Sequence, residues 1–390
     1  MQRLVKMIIF LSALLSVSSE SEGYTIISNR GKPAHWPTNT TSYHFNTTPS
    51  GYFTGGVDAS GTVTDEFQPI RRAFATWMNL PGMTMSVTED ASSNQAAVSG
   101  DHSNTLSWVP KGWRNLSFKP PSNALAVTLL SFDNDTGAIT DADIYFNAES
   151  FKWAVVDSTT ENDHVDVQNI ATHEIGHFFG LDHSSESIYE SQPVLADATM
   201  YYASSTGETT RRDLHQDDIS AVTSLYGASS RGIPKISSVE ITSNSAGSLQ
   251  YHISGSGFNE YTSFVLTKNS SSQLDAVARY RTINSGTDAT AEFDVAGMSN
   301  GSADLVAFND PTNLARFSVN LDSASLNATS ANGGGGGGGC TLQSKENFSP
   351  LIFIFLFLIS ISLLSLRKKE TASKGYVGRV KFFGKSLTKN

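Results

Sequence analysis

The sequence predicts an α+β fold followed by an all-β module, with a membrane signal at each end. Three observations carry this. Between 24 and 227, helix-spaced apolar patterns alternate with strand-like runs. Between 233 and 321, seven short runs are separated by Gly, Asn and Ser. At each terminus an apolar stretch lies against basic residues.

The first element is a basic start, Met1–Lys6, then an apolar run from Met7 to Val17 and small residues at Ser18 and Ser19. That order reads as a secretory signal peptide over 1–19, with a buried N-terminal helix as the alternative. Tyr43–Asn46 is a short strand candidate. Asp65–Leu80 carries Phe67, Ile70, Phe74, Trp77 and Met78 at helical spacing, and Pro81-Gly82 stops it. Strand-like runs follow at Met83–Thr88, Thr105–Val109, Leu125–Phe132 and Ile139–Phe146, with a turn at Asp133–Gly137. A second helix is predicted from Val165 to Phe179, closed by Gly180. A third runs from Leu214 to Tyr226, closed by Gly227.

The seven runs of the second module are Val239–Ile241, Leu249–Ile253, Ser263–Thr267, Ala276–Thr282, Ala291–Val295, Ala303–Asn309 and Ala315–Leu321. Short strands with frequent turns predict a β-sandwich over 233–321. Ile253–Phe258 resembles the early strand of bacterial Ig-like domains of the IPT/TIG type. No catalytic constellation is visible there, so a spacer or adhesion module is the expectation.

Residues 322–340 form a Ser- and Gly-rich tether with seven consecutive glycines before Cys340. Phe348–Leu366 is nineteen largely apolar residues, enough to span a bilayer core. Arg367, Lys368 and Lys369 follow at once, so 367–390 is expected to be a basic cytoplasmic tail, with the body outside. A glycine run, a cysteine, an apolar helix and a basic tail are together similar to bacterial C-terminal sorting tails. The alternative is a retained anchor with an incidental cysteine.

Composition narrows the chemistry. Charged residues are 16% of the chain, which argues against coiled coils. The net charge is −10, and Arg367–Asn390 alone holds eight basic residues against one acid, so the rest carries −17. An acidic body excludes nucleic acid as a partner, because phosphate contacts need a basic face. A single cysteine excludes disulfide staples and thiolate zinc cages, so a metal site must use His and carboxylates.

Such a site is written at His173-Glu174-Ile175-Gly176-His177-Phe178-Phe179-Gly180-Leu181-Asp182-His183. His173 and His177 are four apart on a helix and share a face. Imidazole nitrogens suit Zn²⁺, and Glu174 is placed to reach the water such a metal would hold. Gly180 can take positive φ, so the chain can turn and bring His183 round as a third ligand, leaving a fourth position open.

This motif resembles that of the metzincin zinc endopeptidases, H-E-x-x-H-x-x-G-x-x-H followed by a Met-turn. Leu181-Asp182 and Ser184 around the third histidine resemble the matrixin branch. Ala198-Thr199-Met200-Tyr201 resembles the Met-turn, and Leu214–Ile219 through Leu225–Gly227 the closing helix. The resemblance implies a metzincin catalytic domain over 24–227, a twisted mixed sheet with three helices. It implies one catalytic zinc on His173, His177 and His183, Glu174 as general base, and Met200 as the floor beneath the metal. Asp217 and Asp218 would tie the closing helix to that floor and to the mature N-terminus. The substrate would be a protein or peptide lying extended along the strand near Ala124–Thr128.

The sequence also departs from the family. No cysteine precedes position 340, so a propeptide cysteine switch is absent. Val127 and Tyr145 stand where matrixins carry histidines for a second, structural zinc, so none is expected. Asp133, Asp135, Asp141, Asp143, Asn147 and Glu149 cluster oxygen donors; Ca²⁺ is one reading and a polar turn the preferred one. Tyr201 and Tyr202 compete for the offset at which other metzincins place a tyrosine near the metal. The functional expectation is a zinc-dependent endopeptidase acting on extracellular proteins. Its alternatives are a surface adhesion protein with a vestigial peptidase domain and a zinc hydrolase of non-peptide bonds.

Overall fold

The computed structural model describes residues 23–322, apart from 52, 55–64, 157–162, 228–230, 246, 270–274 and 297, together with 341–342 and 377–379. The expected signal peptide (1–19), nearly all of the tether, the membrane segment (348–366) and the basic tail apart from 377–379 lie outside the described residues. Among the described residues, no helix is long and apolar enough to cross a membrane.

The first unit is a mixed sheet with helices on one face. Its strands are β1 (Thr40–Phe45), β2 (Ser86–Glu89), β3 (Thr105–Val109), β4 (Ala126–Phe132) and β5 (Ile139–Asn147). The order is β4-β5-β3-β1-β2, with β4 antiparallel to β5 and the remaining pairs parallel. Residues 377–379 pair with Leu130–Phe132 on the outer side of β4. Every residue of β4 is buried, which explains its unbroken apolar reading.

Helix α1 (Gln68–Met78) buries Ile70, Ala73, Phe74 and Trp77. The Asp65 carboxylate accepts from the amides of Phe67 and Gln68 and starts it. Helix α2 (Val167–Phe178) is capped by Asp166, which accepts from the Asn169 amide at 2.8 Å. It packs against α1, with Trp77 Nε1 donating to Thr172 O at 2.8 Å. Helix α3 (Gln216–Tyr226) closes the unit. Three helices on a mixed sheet match the expected architecture, and shorter helical turns lie at Trp113–Asn115, Pro193–Ala196 and Thr210–Arg212.

All seven expected strands of the second unit are present: β6 (Lys235–Ser245), β7 (Ser248–Ser256), β8 (Ser263–Thr267), β9 (Ala276–Ser285), β10 (Asp288–Asp294), β11 (Gly301–Phe308) and β12 (Leu314–Leu321). They form one hydrogen-bonded antiparallel ladder, in the order β6-β7-β10-β9-β8-β11-β12. Strand β9 turns the corner. Its first residues pair with β8, and from Ala278 onward it pairs with β10 across a register shift. Inside lie Leu249, Tyr251, Ile253, Phe264, Leu266, Phe293 and Leu305.

The two units share a core. Val265, Val306 and Phe308 join the apolar cluster of the first unit. The N-terminal segment is set between them. Tyr24 OH donates to Tyr261 O at 3.1 Å and accepts from Ser263 Oγ at 2.9 Å, and the Arg281 guanidinium lies 3.7 Å over its ring.

Candidate active site

The site is built on the second half of α2 and the turn after it. His173, Glu174 and His177 face inward and are fully buried. Gly180 takes φ +93°, and an added Cβ would lie 2.3 Å from Ala34 O, so the turn needs glycine twice over. The chain then runs antiparallel to the N-terminal segment, through an Ile26–Leu181 bridge and an amide from Ile27 to Gly180 O at 2.8 Å. That return places His183 beside the helix.

The three imidazoles converge through Nε2. The Nε2 atoms of His173, His177 and His183 are separated by 3.1, 3.2 and 3.2 Å. Each ring is oriented through its other nitrogen. His173 Nδ1 meets Thr199 O at 2.8 Å and His177 Nδ1 meets Leu181 O at 2.8 Å. A carbonyl only accepts, so those Nδ1 atoms carry the proton and the Nε2 atoms carry lone pairs. His183 Nδ1 meets a carboxylate oxygen of Glu186 at 3.1 Å and is fixed in the same way. Burial above all, and then the other two imidazoles, hold the His173 pKa well below its usual value.

Three buried lone pairs pointing at one another repel unless a cation accepts them. Three neutral imidazoles offering Nε2 are donors that would hold zinc. The donor set therefore fits zinc. Asp182, His183 and Glu186 also bring ligand atoms together, but that group shares His183 and offers mostly oxygen. Among the described residues these are the two groups of this kind.

Glu174 is held beside the triad. Thr128 Oγ1, on β4, donates to its carboxylate at 2.7 Å. Below lies the floor. Met200 is buried, and a Cβ on Gly176 would stand 2.2 Å from its sulfur, so glycine at 176 lets the helix settle on it. Asp218 accepts from the amides of Thr199, Met200 and His215 at 2.8, 3.0 and 3.0 Å, which ties α3 to that floor. Asp217 accepts from the Gly23 amide at 3.0 Å.

The two tyrosines differ in their relation to this centre. Tyr201 OH donates to Ser187 O at 2.8 Å, whereas the Tyr202 ring lies 6.4 Å from that of His183. Of the oxygen donors considered for calcium, Asp135 is exposed and pairs with Arg30 at 3.0 Å, and the others are engaged by backbone amides. Asp133 accepts from Asp135 and Thr136, Asp141 from Gly100 and Ser103, Asp143 from Thr105, Asn147 from Ser150, and Glu149 from Trp113. Val127 and Tyr145 belong to an apolar cluster with Val109, Trp113, Phe118 and Leu129.

Three participants were not visible in the sequence: Glu186, Thr128 and the segment 25–27. Glu186 follows His183 by three residues, and an acid that close to a motif histidine is the one signal that could have marked it.

A search of curated proteins finds no match to the chain. The family model for matrixin matches residues 58–227, a span that includes the helix, the histidine triad and the floor described above.

Proposed function

We propose that this protein is a zinc-dependent endopeptidase that cleaves internal peptide bonds of extracellular proteins. The observation that carries the reading is the convergence of three buried Nε2 atoms within 3.2 Å of one another, with Glu174 alongside. His173, His177 and His183 would hold the ion. When bound there, zinc polarises a scissile carbonyl and makes water more acidic.

The chain supplies the rest. Glu174 accepts a proton from the attacking water and passes it to the leaving amine. Thr128 orients that carboxylate. Because Thr128 also lies on β4, the strand expected to pair with substrate, base and substrate would be positioned by one element. Thr199 O, Leu181 O and Glu186 keep the three Nδ1 protons in place, so each ring presents Nε2.

Export and C-terminal anchoring belong to the same proposal and rest on the sequence patterns at 1–19 and 348–366. So does kinship of the 233–321 module with Ig-like domains, supported by its seven antiparallel strands. The test is cleavage of an unstructured protein by the zinc-loaded protein beside a Glu174→Ala variant. We expect activity that a chelator abolishes and a loss of at least about 10²-fold in the variant. Zinc binding without cleavage by either protein would favour the adhesion alternative.

A further inference from the structure

Sixteen residues, Ser184–Thr199, separate the third histidine from Met200. The base of this loop is fixed from inside the first unit. The Ser184 amide donates to Met200 O at 2.9 Å, and Ser184 Oγ to Leu195 O at 2.8 Å. Its outer part is held through Ser187, whose carbonyl accepts from Tyr201 OH at 2.8 Å, and through Glu190. One carboxylate oxygen of Glu190 accepts from Ser185 Oγ at 2.7 Å. The other accepts from the Gln192 amide at 2.9 Å and from the hydroxyl of Tyr280 at 3.2 Å. Tyr280 is on β9, in the second unit.

The contact is part of a fitted seam. Gln250, Glu292 and Tyr280 form a row across β7, β10 and β9, and they line a cleft with Gln192 and Val194 of the loop. Gly23 is wedged at the same seam. A Cβ there would lie 2.1 Å from the Leu195 side chain and 2.9 Å from Arg279 O. Burial alone would raise the Glu190 pKa; its hydrogen bonds hold it below the usual value. The same loop carries Glu186, the partner of His183.

We infer that Tyr280 and Glu190 are positioning residues for the proposed peptidase: the β-rich unit holds the Ser184–Thr199 loop so that Glu186 faces His183. The module then completes the site instead of serving only as a spacer. The activity part of this inference rests on the peptidase reading; the positioning part does not.

The test compares the full chain with its Tyr280→Phe and Glu190→Gln variants, each by amide exchange over 186–195, by titration with zinc alone, and by KM and kcat on peptides. Tyr280→Phe removes only the hydroxyl. It is expected to speed exchange in 186–195 about tenfold, the scale of one hydrogen bond to a charged group, while exchange in α1 stays unchanged. Zinc is expected to bind severalfold more weakly, and KM to rise more than kcat falls. Glu190→Gln keeps a neutral acceptor facing Tyr280 but loses the charge and one acceptor oxygen, so exchange in 186–195 should speed by less than in Tyr280→Phe. If Tyr280→Phe leaves both exchange and zinc affinity unchanged, the inference is overturned. If the unmutated protein cleaves no peptide, the peptidase reading fails, while exchange and zinc affinity still decide the positioning claim.

Discussion

The two units bury very different things. The β-rich unit fills its interior with Leu249, Ile253, Phe264, Phe293 and Leu305, and among its described residues Arg281 is the one charged side chain that is buried. The first unit buries Asp141, Asp143, Asp166, His173, Glu174, His177, His183, Arg211, Asp217 and Asp218. Burying such groups costs free energy unless each finds a partner. Most of these are met by backbone amides, carbonyls or one another. The comparison teaches that chemistry is concentrated where the fold accepts polar burial. The antiparallel unit, whose interior is lined by apolar side chains, has no need to accept it.

The comparison is sharpened first by a cavity. Phe293→Ala in the β-rich core should destabilise by about 3–5 kcal/mol, read from denaturant unfolding. A loss below about 1 kcal/mol would mean that this interior is not close-packed.

The next test concerns pH. Burial foremost, and then the charge of Asp141, pushes the Asp143 carboxyl up to about 8. Its folded value lies above its unfolded one, so the native state holds the proton more tightly. Stability from this group is therefore fully present below about pH 4 and falls as pH rises from about 4 to 8. Asp143→Asn keeps an acceptor for the Thr105 amide and removes the charge. It should raise stability at pH 8 by several kcal/mol and leave pH 4 nearly unchanged. Urea unfolding at both values checks this, and equal effects at both would break the claim.

A smaller effect is expected at Glu186. Glu186→Ala frees the His183 ring and should weaken zinc binding by about tenfold, measured against a competing chelator. Unchanged affinity would show that the ring is oriented by packing alone.

Much of this was legible in the sequence because it is local. The spacing of His173 and His177 follows from helical geometry, and Gly180 marks a turn that a side chain would block. The seven strands announced themselves through short apolar runs between turn residues. What stayed hidden depends on distant partners. Thr128 reaches Glu174 across 46 residues. The segment 25–27, which braces the turn before His183, reads as an unremarkable Thr-Ile-Ile. The strand order β6-β7-β10-β9-β8-β11-β12 could not be read from runs alone, since alternation shows that a residue faces inward but not which strand it meets. Strand ends moved by a few residues for the same reason. β6, for example, extends from Lys235 to Ser245 because pairing with β7 recruits polar residues on both sides of Val239–Ile241.

The central claim is that three imidazoles form one zinc site, and zinc stoichiometry tests it most directly. The unmutated protein should bind one equivalent tightly, and His177→Ala, with the α2 helix intact by circular dichroism, should lose that affinity by at least about 10²-fold. Equal binding by a folded His177→Ala protein would contradict the account.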